Sequence, residues 1–366
     1  MESNRGKLLI NPFMVNGNLS TNASINKLTL SKMPEQYEIK ENLKGKTALD
    51  VFSTDLLIEE IKKRSKELKL NLNNIEEKSL PYYLNLALES SEEDIRKTAE
   101  DITKIFGERL AVILLTLRKG YKESRSKRKD WEDSHWQLWS ELETVILAGG
   151  LASSKIGERF KYYIEEVFKK EKESCYNIIL NKDSSNMAIK GCATFIKDGD
   201  INKSYLVFDF GQSFIKRSLV KIQGSKLEEI INLDKVISKY VTWEFNSLEE
   251  EKKEAYNLNK YILQVIKSSI DELIKKGEEV GEYIPISIAN YVKEGNFVNR
   301  GGYGKLRLIS SNYEEFLSDY LYDKYNKRFA VKLIHDGTAM AKAFDNYNNS
   351  VCISLGTAFG IGFPNK

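Results

Sequence analysis

The chain has 366 residues, enough for two domains of ordinary size, and its hydrophobic fraction of 41% allows each of them a core. Its 56 cationic and 53 anionic side chains leave a formal charge of +3. This near-balance gives no general argument for binding to nucleic acid or to an acidic membrane.

The three cysteines are widely spaced and odd in number, which argues against a disulfide framework and for a reducing compartment. With two histidines and no CxxC pair, a structural zinc site is not expected. The longest strongly apolar run, residues 110–117, is far shorter than the roughly 20 residues of a membrane span. Residues 1–13 lack a signal-peptide core. We therefore expect a cytoplasmic protein.

The first 200 residues show alternating strand and helix patterns. An apolar run at 7–15 predicts a strand. Ser91 with Asp94 resembles a capping box, which predicts a helix over 91–118. Four further elements are predicted here: a strand over 144–150, a helix over 156–169, a strand over 175–180 and a helix over 186–196.

The rest of the chain begins with three strand candidates rich in β-branched and aromatic residues, at 205–210, 214–222 and 239–245. A long helical pattern follows over 247–276 and stops at Gly277. The remaining elements are predicted as a strand over 283–289, a helix capped by Asn312, a strand over 329–334, a helix over 337–344, a strand over 351–356 and a return at 360–363.

The order of these elements from residue 201 is β-β-β-α-β-α-β-α. If residues 349–366 are placed before residue 1, the first 200 residues give the same order of elements. We therefore predict one domain at 201–348 and a second domain formed by 1–200 together with 349–366.

Four motifs resemble those of the actin-like ATPase superfamily, and within it most closely the sugar kinases of the ROK and hexokinase type. "DFGQSFIKR" (209–217) is similar to the first phosphate motif, and "LIHDGTAMAKA" (333–343) to the segment with the catalytic aspartate. "SLGTAFGIGF" (354–363) is similar to the second phosphate motif, and "VILAGGLASSKIGERF" (145–160) to the adenosine motif.

In that superfamily the adenosine motif comes last, whereas here it comes first. The resemblance therefore implies a circularly permuted α/β protein with two RNase H-like βββαβαβα domains, the actin-like ATPase fold. Chain ends that lie near each other at the surface make such a permutation tolerable.

The resemblance implies that ATP binds between the domains. Gly211, Gln212 and Ser213 would donate to the phosphates, and Asp209 would orient Mg²⁺ through water. Lys216 and Arg217 follow on the next strand. Because side chains alternate along a strand, only one of these two cations should reach the cleft, and we favour Lys216 as the catalytic cation.

The second phosphate motif would contribute three residues, Gly356, Thr357 and Gly360. Ala358 stands where the family usually has a third glycine, so a methyl group could crowd a phosphate there. The adenosine motif would contribute Gly149, Gly150 and Leu151. A plain tight turn would also explain these last residues.

The resemblance makes Asp336 the general base, although a helix N-cap aspartate is the alternative. His335, which replaces the family's usual asparagine, would contact the substrate. Further substrate contacts are expected from asparagines after the 283–289 strand and from a glutamate near residue 40, namely Asn290, Asn296 or Asn299 and Glu41 or Glu38.

The implied activity is ATP-dependent phosphoryl transfer to a hydroxyl of a sugar or related small alcohol. The alternative is an actin-like ATPase, or a protein that senses ATP or a sugar without kinase activity. The expected cofactors are ATP and Mg²⁺, and the zinc cluster common in ROK proteins is absent from the sequence. The expected partner is a small-molecule sugar or polyol rather than nucleic acid or a membrane, and a homodimer stays open.

Overall fold

The computed structural model describes residues 9–181, 183, 186–239 and 241–364. The strands within them are β1 (Met14–Val15), β2 (Asn18–Leu19), β3 (Thr144–Ala148), β4 (Asn177–Leu180), β5 (Tyr205–Phe210), β6 (Phe214–Gln223), β7 (Lys226–Ile237), β8 (Tyr283–Ile288), β9 (Val292–Lys293), β10 (Asn296–Phe297), β11 (Ala330–His335), β12 (Ser350–Ser354) and β13 (Gly360–Gly362).

The helices are α1 (Ala48–Val51), α2 (Thr54–Lys63), α3 (Leu80–Ala87), α4 (Glu93–Lys119), α5 (Lys122–Lys127), α6 (Asp133–Glu141), α7 (Lys155–Lys170), α8 (Met187–Ala193), α9 (Leu248–Lys275), α10 (Tyr313–Tyr325) and α11 (Asp336–Lys342). Short 3-10 helices lie at Thr21–Ala23, Leu72–Asn74, Glu77–Ser79 and Gly302–Leu308. In the described part of the chain, no helix combines the length and the apolar character that crossing a membrane requires.

The first sheet has five strands in the order β11-β8-β5-β6-β7. β5, β6 and β7 are antiparallel neighbours joined by short turns. β8 and β11 lie on the other side of β5 and run parallel to it, and α9 and α10 provide the crossovers that parallel strands need. Three antiparallel strands followed by two parallel ones is the RNase H-like arrangement that the sequence predicts.

The second sheet has four strands in the order β13-β12-β3-β4. β12 and β13 are antiparallel, and β12, β3 and β4 run parallel, with α7 as the crossover between β3 and β4. β12 and β13 thus correspond to β5 and β6 of the first sheet, and β3 and β4 to β8 and β11. Because β3 and β4 precede β12 and β13 in the chain, the element order is the permuted order that the motifs predict.

Helices α8 and α11 form a layer between the two sheets. One apolar cluster joins them to β5 and β6, and another joins them to β3 and β12. A Cβ atom on Gly191 of α8 would lie 1.6 Å from the backbone oxygen of Ala339 in α11, so glycine is required at this crossing. The small side chains of both helices therefore allow close packing at the centre of the molecule. We call the first sheet with α9 and α10 the first unit, and the second sheet with α1 to α7 the second unit.

The segment after residue 8 lies beside the segment that contains β12 and β13. The Leu9 amide donates to Asn349 Oδ1 at 3.1 Å, and the rings of Phe13 and Phe363 stack with centroids 5.5 Å apart. These contacts join the two stretches that the predicted second domain combines, whereas its exact boundaries stay a prediction.

The third strand of the first sheet was predicted at the wrong place. Residues 239 and 241–245 are irregular, and the strand is β7 at Lys226–Ile237. β7 is an edge strand with charged side chains along much of its length, which concealed its pattern. The aromatic run that suggested a strand instead places Trp243 against Gly301 and Gly302.

Two smaller predictions also failed. The strand predicted at 7–15 is present only as Met14–Val15, which pairs with β2 and not with the second sheet, while residues 7 and 8 lie outside the described residues. The helix predicted from Ser91 begins at Glu93, and its N-cap Glu92 makes no side-chain capping bond, so there is no capping box. The first turn of α4 instead carries Glu93 and Asp94, which the helix dipole favours.

Candidate functional site

A cavity of about 790 Å³ lies between the two units, where both sheets end. Its volume is within the range of small-molecule sites. Both predicted phosphate turns line it, as do the Gly150–Leu151 turn, the start of α2, the segment before and within α3, and the start of α11. The charged carboxylates and ammonium groups among the described lining residues are those of Asp55, Asp336 and Lys78.

The first turn, residues 211–213, lies between β5 and β6 and lines the cavity. The Gly211 amide donates to the Phe214 carbonyl at 3.1 Å, which closes the turn. Two hydroxyl groups, Ser238 Oγ at 2.6 Å and Tyr303 Oη at 2.9 Å, donate to the Gly211 carbonyl from the other side. The turn is therefore held by the first unit, through two residues that sequence reasoning missed.

The second turn, residues 356–359, lies between β12 and β13 and also lines the cavity. Asn26 holds it with both ends of its amide: Oδ1 accepts from the Phe359 amide at 2.9 Å and Nδ2 donates to the Phe359 carbonyl at 3.1 Å. The Thr54 amide donates to the Gly356 carbonyl at 2.9 Å. Ala358 lies in the wall with its methyl group, and no side chain of the turn is charged.

The tips of the two turns touch across the cleft. Thr357 Oγ1 donates to Gln212 Oε1 at 3.2 Å. The structure thus places the two predicted phosphate motifs within one hydrogen bond of each other, with Gly360 and Ser213 also in the cavity wall.

Asp209 and Lys216 lie behind the first turn and are not among the residues that line the cavity. Lys216 Nζ is 3.1 Å from Asp209 Oδ2, and the Ser287 hydroxyl donates to Asp209 Oδ1 at 2.9 Å. Arg217 points to the other side of the sheet, where it donates to the Asp234 carbonyl and to Ser269 Oγ. The two cations thus lie on different sides of the sheet, but Lys216 is not in the cavity wall, where it was expected as the catalytic cation, because its ammonium group pairs with Asp209 behind the turn.

Asp336 and His335 lie on the floor of the cavity, at the end of β11 and the start of α11. The Gly337 amide donates to Asp336 Oδ1 at 2.7 Å, and His335 Nε2 is 3.2 Å from the same oxygen. His335 Nδ1 accepts from the Thr338 amide at 3.3 Å, which makes His335 the N-cap of α11 and leaves its proton on Nε2, facing Asp336. Asp336 is therefore not the N-cap, which was the alternative explanation for it.

Burial raises the pKa of Asp336, and the nearby charge of Asp209 raises it further. Burial lowers the pKa of His335, which keeps the imidazole neutral. A neutral N–H donor beside a carboxyl group with a raised pKa is an arrangement suited to accepting a proton near neutral pH.

The Gly-Gly motif contributes Gly150 and Leu151 to the cavity. Gly149 is not in the wall; its φ of +89° and the Leu355 carbonyl, 2.6 Å from where a Cβ would lie, show why a glycine is needed there. Opposite these residues stands a wall from the 78–85 segment, with Tyr82 61% exposed. Asn85 Oδ1 in this wall is buried without a hydrogen-bond partner.

Of the predicted substrate residues, the structure brings Asn290, Asn299 and His335 to the cavity. Asn290 Nδ2 donates to the Gly301 carbonyl at 2.9 Å, while its Oδ1 is buried without a partner. Trp243, which sequence reasoning missed here, lies in the same part of the wall.

Three other predicted substrate residues are not in the cavity wall. Asn296 donates to the Lys293 and Glu294 carbonyls of its own hairpin. Glu41 forms a two-fold ion pair with Arg109, at 2.6 and 2.7 Å, and Glu38 is also absent from the wall.

No group of three or more histidine, cysteine, aspartate or glutamate side chains within the described ranges could hold a metal ion by itself. Asp209 and Asp336 are close enough to influence each other electrostatically. Two carboxylates with water and phosphate oxygens as the other ligands suit Mg²⁺, which keeps much of its hydration shell. With one ammonium group in the wall, a bound polyphosphate chain would also need a cation to balance its charge.

The two RNase H-like sheets, the helix pair between them and the cleft at their ends define the actin-like ATPase fold. No family model and no curated protein matches the sequence. Among solved structures, the chain is similar to the type II variant of the Aquifex aeolicus Ppx/GppA phosphatase, with 13% identity and a TM-score of 0.20 over 56% of this chain and 55% of that one.

A second similar structure is an exopolyphosphatase-like protein, with 9% identity and a TM-score of 0.29 over 67% of this chain and 85% of that one. The chain thus spans about half of the first structure and most of the second. Both TM-scores are low, so the fold assignment rests on the strand order. Neither match is described as a sugar kinase, and the prediction of the ROK or hexokinase type gains no support from them.

Proposed function

We propose that the cleft binds a nucleoside triphosphate together with Mg²⁺ and cleaves its terminal phosphoanhydride bond with water as the acceptor. The observation that carries this proposal is the pair of turns that meet through Gln212 and Thr357 and line the same cavity as Asp336. Phosphoryl transfer requires positioning and charge stabilisation more than covalent chemistry, and a turn-lined cleft supplies both.

The phosphate chain lies between the two turns, where backbone amides and the Ser213 and Thr357 hydroxyls can donate to it. Asp209 and Asp336 would hold Mg²⁺ through water, and the ion would neutralise charge on the phosphate oxygens. The ammonium of Lys216 stays paired with Asp209 behind the turn and adds positive potential there.

Asp336 accepts the proton of the attacking water. A bond forms between the water oxygen and the terminal phosphorus, the bond to the bridging oxygen breaks, and the nucleoside diphosphate leaves. The donors from Gly337 and His335 fix the carboxyl group, so that one oxygen is held and the other is free to face the water. A raised pKa makes this carboxylate a stronger base than an exposed aspartate.

The base of the nucleotide fits between the Gly150–Leu151 turn and the wall that contains Tyr82 and Asn85. The exposed Tyr82 ring offers a stacking surface, and Asn85 Oδ1, which has no hydrogen-bond partner, offers an acceptor. A side-chain amide pairs in two-fold fashion with adenine, whereas guanine presents a different set of donors and acceptors at the same edge. We therefore propose ATP as the nucleotide.

A second candidate is transfer of the phosphoryl group to a hydroxyl of a sugar or polyol. It is favoured by one observation: Asn290 Oδ1 is buried and unpartnered beside Trp243 and Asn299 in the same cavity. An aromatic ring with amides is a suitable surface for a polyol. In this case Asp336 would accept the proton of the acceptor hydroxyl.

The deciding experiment measures ADP and inorganic phosphate released from Mg-ATP, with and without a panel of hexoses, amino sugars and polyols. Hydrolysis predicts equal amounts of ADP and phosphate without any sugar. Transfer predicts sugar-dependent ADP without matching phosphate. A rise in melting temperature with Mg-ATP but without ADP release would indicate a protein that senses ATP. The absence of both turnover and a melting shift would refute both proposals.

A further inference from the structure

The polar contacts of the His335 imidazole act only at the edges of the ring. Nδ1 accepts from the Thr338 amide and Nε2 faces Asp336 Oδ1, so both nitrogens have partners within the same short segment. Rotation of the ring would break both interactions. A contact on the face of the ring would add a further restraint on the orientation of its plane.

Tyr291 provides that contact. Its ring stacks on the His335 ring with centroids 4.3 Å apart and planes 18° from parallel. Tyr291 lies between β8 and β9, so both stacked rings belong to the first unit.

The other side of Tyr291 packs against the second unit. Its ring contacts the apolar core cluster of that unit, and its hydroxyl is near enough to Arg128 for their charges to interact. Arg128 is 4% exposed and donates to the Asn22 and Ser24 carbonyls at 3.0 and 2.6 Å, which fixes it in the second unit. Tyr291 is thus a side chain of one unit whose position depends on the other.

We propose that Tyr291 is a positioning residue that couples contact between the two units to the orientation of His335 against Asp336. The inference rests on the proposed function for its catalytic meaning. When the units are in contact, Tyr291 presses on the imidazole and Asp336 receives its hydrogen bond. When the units separate, Tyr291 loses its packing, the imidazole is free to turn, and the base loses the donor that orients it. Hydrolysis is then restricted to the closed cleft.

The chain contains two histidines, which makes a direct test simple. Imidazole ¹⁵N–¹H correlation spectra of the full chain report the tautomer and the pKa of each ring, and His335→Asn identifies the His335 signals. We expect His335 to show a single tautomer with the proton on Nε2. In Tyr291→Leu, which keeps apolar bulk but removes the stacking ring, we expect a mixture of tautomers and a His335 pKa closer to its ordinary value.

Activity provides the second readout. For Tyr291→Leu, kcat of Mg-ATP hydrolysis should fall about 10- to 100-fold, as for other small misplacements of a catalytic group. Because Tyr291 also lines the cavity, this fall in kcat should exceed any rise in KM, and a rise in KM alone would mean that Tyr291 binds the ligand and does not position the base. The acid limb of the pH profile should shift as well. The groups near Asp336 in this region are His335, the Tyr291 hydroxyl, and Asp209 with its partner Lys216, and Tyr291 is also near Arg128. Tyr291→Phe keeps the stacking ring and should rescue both readouts.

Phe316→Leu is the matched control, because it removes a stacked ring of the same unit, against Tyr313, away from the described cavity wall. It should lower the melting temperature without changing the His335 spectrum, and unchanged His135 signals would show that a variant is folded. A single Nε2–H tautomer and a His335 pKa as low as in the natural sequence, measured in folded Tyr291→Leu, would overturn the inference. An absence of hydrolysis in the natural sequence would refute the proposed function, while the spectra would still decide whether Tyr291 positions His335.

Discussion

The two turns that meet in the cleft differ in what they bring to it. The first turn belongs to the unit that also supplies Asp209, His335 and Asp336, all of which can ionise. The second turn contributes glycines, a hydroxyl and a methyl group, and it is held by neutral groups of Asn26 and Thr54. The comparison teaches that the first turn lies in the unit that holds the proposed base, whereas the second turn offers only shape and backbone polarity, and the charged groups that its unit adds to the wall, Asp55 and Lys78, lie outside that turn.

The largest expected effect comes from the charged side. Asp336→Asn should lower kcat by about 10²- to 10⁴-fold, the usual contribution of a general base, and weaken Mg-ATP binding much less, because Asp209 and the two turns would still hold the ion and the phosphates. Steady-state kinetics with calorimetric binding would check this. Turnover unchanged in the variant would place the base elsewhere and would break the division between the two units.

The same variant should raise the melting temperature near neutral pH. The pKa of Asp336 is higher in the folded chain than in the unfolded chain. The protonated carboxyl group therefore stabilises the fold at pH values below its unfolded-state pKa, and this stabilisation is lost as the pH rises through its folded-state pKa. At neutral pH the buried carboxylate therefore costs stability, and a neutral amide removes that cost. Melting curves measured across a range of pH should show the melting temperatures of the natural sequence and the variant converging under acidic conditions.

A smaller effect is expected on the side that recognises the ligand. Asn85→Ala should reduce the preference for ATP over GTP about tenfold, at the low end of what an amide–adenine pair contributes, with little change in kcat. Competition binding of the two Mg-nucleotides would measure it. Asn296→Ala is the control, because that amide bonds within its own hairpin; an equal loss in both variants would contradict the proposed base site.

The contact between the turns should show a coupling smaller still. A double-mutant cycle with Gln212→Ala and Thr357→Val, measured on the Kd of Mg-ATP, should give about 0.5–1.5 kcal/mol, the net value of one hydrogen bond. Additive effects would mean that the two turns bind the phosphates independently and that their contact contributes nothing to binding.

The smallest effect is expected from Glu41→Gln. Its pair with Arg109 lowers the pKa of Glu41, so its stabilising contribution is present above the ordinary pKa and is lost as the pH falls. Because the carboxylate is partly exposed, we expect a loss of about 1 kcal/mol or less and unchanged turnover. A large loss of turnover would indicate that Glu41 contacts the substrate, as the sequence suggested.

The sequence predicted the turns and the segment of Asp336 correctly because these signals are local. Buried strands that end in glycine or in a small polar residue are visible in a few consecutive letters, and "DFGQS" and "LIHDG" are such stretches. β7 was missed for the opposite reason, since Glu228, Glu229 and Asp234 interrupt its apolar pattern at an exposed edge.

The supports of the site were not predictable in this way. Asn26 holds a turn that lies 333 positions away in the chain, and Tyr303 meets the Gly211 carbonyl across 92 positions. Tyr82 and Asn85 have no local feature that distinguishes them from an ordinary helix. These residues become meaningful only when the fold brings distant segments together.

The crossing of α8 and α11 limits how the cleft can move. At Gly191 and Ala339 the two helices touch backbone to backbone, with no room for even a methyl group. Translation of one unit away from the other would break this contact, whereas a swivel about it would preserve it. The crossing would therefore act as a pivot, about which a small change in angle between the two sheets would open or close the cleft.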